Sequence, residues 1–288
     1  MPPQTLASVL LAPVDAVVGS RGWCLIAAMA FALLAGSQAW GQAAGGLKSD
    51  PVPKHNRARI SAMERAKSEG LTKADLTPQW ASFNDLRDYY GYQFEKLRDA
   101  TLSAEYGKVM QGMLDDLDRT QRAKTPAAQH LVGWFVAGAR AVALDNYHPA
   151  ARVNATLLLA QIDDQGADLR AGKPPVPAQA ALVPMVQLYR AGNSPDGVRA
   201  AALQGIWRHV MLGAVPQQYR QGIAGMMLQL AESEAPAGRS PEAHAYLQRY
   251  AVDILSVLAN PNVTEKTTQT LVSLSTANEK PHLIAAYA

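Results

Sequence analysis

Arg152 and Arg199 are the charged side chains most closely tied to a pattern in this sequence. They lie 47 residues apart, each shortly after a proline (Pro149, Pro195) that heads an Ala/Leu/Ile-rich run. A guanidinium is a planar fork of five donors, so a row of them along one face would bind anions. The same fork suits a fixed carboxylate at a seam between helices, and Asp145, Asp163 and Asp164 are close enough in sequence to supply one. The seam reading is adopted: Arg152 and Arg199 are expected to be structural, with Asp163 and Asp164 as acidic partners.

The aromatic cluster Trp80, Phe83, Tyr89, Tyr90, Tyr92 and Phe94 is the densest in the chain. Part of it falls on a buried helical stripe. Trp80, Tyr89 and Tyr92 are left as a candidate partner surface, because such rings offer contact area with a polar handle. The six histidines (His55, His130, His148, His209, His244, His282) have no second ligand at metal-site spacing, so packing or capping is expected and no metal. Asp115, Asp116 and Asp118 lack the alternating calcium-loop pattern and read as a solvated helix face. There is no G-x-S-x-G elbow, phosphate loop, G-x-G-x-x-G or C-x-x-C-H, hence no expected catalytic residue and no cofactor. Of the two glycosylation sequons, at Asn154 and Asn262, the first lies inside a predicted helix, which argues against its use.

The elements that must position these residues announce themselves through prolines. Pro149, Pro195 and Pro241 are 46 residues apart in both steps, and each precedes a helix-like run. Proline at the first helical position loses no hydrogen bond, and Ser194 and Ser240 can cap the N–H groups that follow. Upstream, a short helix is expected over Arg57 to Ser68, closed by Gly70 in the left-handed conformation. A longer helical stretch runs from Pro78 to about Arg122, with Phe83, Leu86, Tyr90, Phe94 and Leu97 at steps of three and four and a break at Thr101–Ser103 or Gly107. Thr125-Pro126 opens the next, with Leu131, Phe135, Val136, Ala139 and Val142 on one face. A Pro-rich connector spans Gly172 to Pro177, and Pro281 to Ala288 looks like the opening of a further helix.

The segments around Pro149 and Pro195 resemble the first helix of HEAT repeats of the armadillo-like class: Pro149, Arg152, Ala155 and Leu158-Leu159 in one copy, Pro195, Val198-Arg199, Ala202 and Ile206 in the next. In the third copy Arg249 is displaced relative to its proline. The period fits, since such units run roughly 40 to 47 residues and contain two or three helices. The resemblance implies an all-α fold, an α-α superhelix over 125–288 with an N-terminal helical cap at 57–124. HEAT motifs specify architecture and say little about activity.

Residues 1–43 read as a signal peptide: Arg21, the apolar run Cys24 to Leu34, then small residues with cleavage expected after Ala43. That run is short for a bilayer span of about 20 residues, so contact with a membrane is expected only if the segment is retained. Residues 44–56 read as a flexible linker. The only cysteine, Cys24, lies in the segment to be removed. Removing that segment takes away Arg21 and Asp15 and leaves 26 bases against 23 acids, still +3. Bases and acids are interleaved, so no nucleic acid is expected. The expected function is an exported (periplasmic or secreted), non-catalytic HEAT-like scaffold that binds a protein partner. The alternatives are an enzyme-related HEAT-like protein, lyase- or hydroxylase-like, with its substrate in a groove, and a structural envelope component.

Overall fold

The computed structural model describes residues 46–258 and 264–276. The expected signal segment, Asn262 of the second sequon, His282 and the run from Pro281 to Ala288 lie outside the described residues. Helices dominate: α1 (Arg57–Gly70), α2 (Phe83–Arg98), a 3-10 helix (Ala100–Glu105), α3 (Tyr106–Ala123), α4 (Ala127–Leu144), α5 (Pro149–Gln161), α6 (Gln179–Arg190), α7 (Asp196–Met211), α8 (Gln217–Glu232), α9 (Pro241–Val257) and α10 (Thr264–Thr276). One antiparallel ladder, β1 (Asp163–Gln165) with β2 (Val176–Pro177), is built from the connector after α5. Its tip carries Leu169, 85% exposed.

Local signals account for most helix ends. Asn56 caps α1, its side chain accepting from Arg59 N at 2.8 Å. Gly70 does not close α1 in a left-handed turn, since Leu71 follows it in right-handed geometry. It serves close packing instead: a Cβ there would lie 2.7 Å from Leu86 and 3.2 Å from Trp80. The stretch after Pro78 becomes helical only at Phe83 and breaks at Asp99, whose carboxylate takes the Thr101 N–H at 2.9 Å and starts the 3-10 turn. The break is thus at Thr101–Ser103, with Gly107 inside α3. Lys124, at φ 54°, ends α3. The three evenly spaced prolines open α5, α7 and α9, Pro149 and Pro241 in the first turn and Pro195 just before it. Ser240 caps α9 through Ala243 N at 3.1 Å. Ser194 does not cap α7. Its own N–H turns back to Ala191 O, and its hydroxyl is buried without a hydrogen bond.

Packing runs in two tiers. α5 lies on α7 and α7 on α9, while α4, α6 and α8 back onto α5, α7 and α9 respectively. α6 touches α4 lightly and α8 touches α10 lightly; α6 and α8 make little direct contact. At the N-terminal end α1 and α2 form a hairpin, α2 packs on α4, and α3 lies against α4 and α5. One continuous apolar core links them, from Leu86 and Phe135 through Leu158 and Ile206 to Ile254.

The expected flexible linker is held to the body over residues 48–52. Lys48 N donates to Asn146 O at 2.8 Å and its ammonium pairs with Asp145 at 2.7 Å. Tyr147 donates to Asp50 at 2.5 Å, and Val52 N to Asp99 at 3.1 Å. These polar contacts reach across 47 to nearly 100 residues of chain, which is why local composition could not announce them.

Candidate functional site

Arg152 sits at the start of α5, 4% exposed, and its Nε donates to Ala143 O at 3.0 Å. Arg199, in the equivalent turn of α7, donates from Nη2 to Ala191 O and Gly192 O at 3.2 Å each. Arg152 reaches back to the last turn of α4, and Arg199 to Ala191, which closes α6, and to Gly192 just beyond it. Carbonyls at a helix end lack intrahelical partners and form the negative end of its dipole. Burial lowers the Arg152 pKa and the nearby Asp145 opposes that shift. The acidic partners assigned from sequence are therefore corrected: Asp163 and Asp164 go elsewhere. Asp163, in β1, pairs with Arg208 of α7, at 2.6 Å for one oxygen and 2.9 Å for the other. Burial raises its pKa, and Arg208 only partly offsets this. Asp164 accepts from Gln179 N at 3.1 Å and so caps α6.

The third seam uses other residues, which the arginine pattern missed. Gln248 of α9 donates to Leu230 O, Ala231 O and Ser233 O at 3.1, 3.0 and 2.9 Å, at the end of α8. His244 joins it, Nε2 lying 3.1 Å from Ser233 O. A signal for His244 existed, since it follows Pro241 by three residues as Arg152 follows Pro149.

This seam also holds a serine–histidine contact, Ser233 Oγ to His244 Nε2 at 3.1 Å. Its polarity is wrong for a nucleophile. Arg239 Nη1, 3.0 Å from His244 Nδ1, can only donate, so Nδ1 is the acceptor and Nε2 carries the hydrogen. The Ser233 hydroxyl donates to Leu230 O at 2.8 Å. A general base needs the reverse arrangement, with a bare Nε2 facing the hydroxyl. Arg239 is fixed in turn by Asp196, with Nε to Oδ2 at 2.8 Å.

Above the seam, the gap between α6 and α8 forms a groove of about 630 Å³. Tyr189 and Arg190 line one side, Gly222, Gly225 and Met226 the other, and Arg199 borders it. A Cβ on either glycine would meet nothing within 4 Å, so the α8 backbone is open to the groove at these two positions.

Trp80, Tyr89 and Tyr92 are half-buried along the α1–α2 hairpin. Each has a lysine ammonium over its ring: Lys73 at 6.0 Å, Lys67 at 5.4 Å and Lys96 at 4.8 Å. Trp80 packs against Gly70 while Tyr92 meets His55 edge-on at 5.2 Å. Among the described residues no ring contact joins Trp80 to either tyrosine, so the three do not form one platform. The acidic trio is also corrected. Asp115 and Asp118 are exposed, but Asp116 is 3% exposed and bonded to Lys67 at 2.9 Å and to the Tyr90 hydroxyl at 3.2 Å.

Asn154, of the first sequon, turns its amide back to Ala150 O at 2.8 Å within α5. Among the described residues no three His, Cys, Asp or Glu side chains gather as a metal site, and no helix is long and apolar enough to cross a membrane. No protein-family model, curated protein or solved structure matches this chain.

Proposed function

We propose that this chain is an exported HEAT-like α-solenoid that serves as a scaffold for a protein partner, with residues 1–43 as its signal segment. The architecture is supported by the stacking of α5, α7 and α9 at the proline period, each backed by a second helix. Stacks of this kind offer long surfaces to which each unit adds a few side chains.

The observation that carries the binding reading is the groove between α6 and α8. An interior helical glycine costs roughly 1 kcal/mol relative to alanine. Nothing in the described chain uses the space that Gly222 and Gly225 leave open. A partner segment laid there could approach the α8 backbone closely. The enzyme-related alternative ranks second because the one serine–histidine contact in the groove has its hydrogen on the nitrogen that would have to accept one.

Gly225→Gln tests this reading. It fills the groove while improving helix propensity, so the melting temperature should hold or rise. Capture of partners from the native envelope, read by mass spectrometry, should collapse. Capture equal to that of the parent chain would refute the groove as the docking face. N-terminal sequencing of exported protein tests the signal segment, with a first residue near Ala44 expected.

A further inference from the structure

α1, α2 and the start of α3 enclose a cleft of about 200 Å³, far from the α6–α8 groove in sequence and formed by different helices. Three lysines line it, Lys67 from α1, Lys96 from α2 and Lys108 from α3. Only two acids face them, Asp116 and Glu105. Asp116 is already engaged at the floor, accepting from Lys67 and Tyr90. Glu105 is exposed at the rim.

The lysines keep donors available. The Lys67 side chain remains 26% exposed, and an ammonium has three hydrogens, of which Asp116 needs one. Lys96 donates to the neutral Gln93 Oε1 at 3.3 Å and lies over the neutral Tyr92 ring. Neither Lys96 nor Lys108 forms an ion pair among the described residues. Lys108 is moreover in the first turn of α3, an 18-residue helix with no acidic residue in that turn and no side-chain cap from Glu105. An anion in the cleft would meet an ammonium donor from each of the three helices. Tyr89, Tyr90 and Met113 supply the less polar wall.

We propose that this cleft is a binding site for a small anion, whose carboxylate or phosphate oxygens are held by Lys67, Lys96 and Lys108 and whose short body lies along Tyr89. The volume admits a ligand smaller than a typical cofactor, since cofactor and drug pockets start near 300 Å³. The site stands whether or not the α6–α8 groove binds a protein.

Calorimetric titration of the full chain at low ionic strength, with inorganic phosphate and separately with acetate, tests it. Saturable binding of one equivalent of at least one anion is expected. Phosphate alone identifies a phosphoryl ligand, acetate alone a carboxylate, and both a site that reads the anionic oxygens themselves. Replacing the rim lysines, Lys96→Ala with Lys108→Ala, should weaken binding by about tenfold or more at unchanged melting temperature, the loss expected for removed charge-assisted hydrogen bonds. Asp116→Asn releases Lys67 from its partner and should tighten binding. Absence of saturable heat with either anion, or equal affinity in the double-lysine variant, overturns the proposal.

Discussion

Between α1, α2 and α3 charge answers charge: Arg59 pairs with Asp85 and with Asp88 at 2.5 Å, and Lys67 with the buried Asp116. From α4 onward the helix seams are closed differently, by Arg152, Arg199 and Gln248 donating to carbonyl oxygens at helix ends. Two ion pairs of that second region, Asp163 with Arg208 and Arg239 with Asp196, tie a connector to a helix, and the exposed pair Lys266 with Glu232, at 3.5 Å, joins α10 to the end of α8. An ion pair needs two matched side chains. A helix C-terminus offers free carbonyls whatever its sequence, so a single long donor at a fixed distance from a proline suffices. The second device can recur along a chain, while the first must be built once for each place.

The largest effect should come from the α1–α3 region. Lys67→Met leaves Asp116 buried without its cation and should cost about 3 kcal/mol, read by denaturant unfolding. Lys67→Met combined with Asp116→Asn should recover most of it, because Tyr90 still has an acceptor. If the single and double variants are equally unstable, the pair is not what organises α1 against α3. Next in size is Arg152→Ala. Its loss strands Ala143 O in the interior and should cost about 2 kcal/mol, nearly independent of salt, since a carbonyl carries no net charge to screen. A loss that shrinks markedly in high salt would show that Asp145, not the carbonyl, dominates.

Arg199 is half-exposed, and Arg199→Ala should cost about 1 kcal/mol or less. Partner capture by that variant should fall only as far as folding does. Unaltered melting with lost capture would make Arg199 a binding residue of the groove it borders. The smallest effect belongs to Arg59→Ala, at most about 0.5 kcal/mol and reduced by salt, because its ion pairs are only partly shielded from water.

pH separates two buried groups of the helical stack. His209 is fully buried, Nδ1 2.9 Å from Gly205 O and Nε2 3.2 Å from Ala178 O, and burial lowers its pKa. Below the unfolded histidine value of about 6.5 the unfolded chain therefore binds the proton more readily, and stability should fall as pH drops from there toward the folded pKa. Asp163 works in the opposite sense. Its raised pKa makes the folded chain the better proton acceptor, so protonating it adds stability as pH falls through that higher value toward the unfolded one near 3.9. His209→Gln should flatten the loss of melting temperature that begins near neutral pH while leaving the acid-side behaviour of Asp163 in place.

Much of this molecule was written locally. Prolines at the first helical turn, Ser240 as a cap, and the stripe from Phe83 to Leu97 depend on neighbours within a few residues, so the all-helical character and most helix starts could be read directly. The left-handed close assigned to Gly70 failed because two pressures favour glycine, backbone freedom and lack of bulk. Only the approach of Leu86 and Trp80 tells which one acts. Arg152 and Arg199 stand out by spacing, but their partners do not: sequence proximity favours Asp163 and Asp164, whereas the fold places the ends of α4 and α6 under the guanidinium groups. Asp116 and the segment 48–52 depended still more on assembly, for a carboxylate among exposed acids is buried only where another helix brings Lys67 to it, and a polar stretch becomes ordered only when Asn146 and Tyr147 arrive from far along the chain. Helix starts follow from short-range sterics and hydrogen bonding; the partners of long polar side chains follow from which helix ends the packed core leaves within their reach.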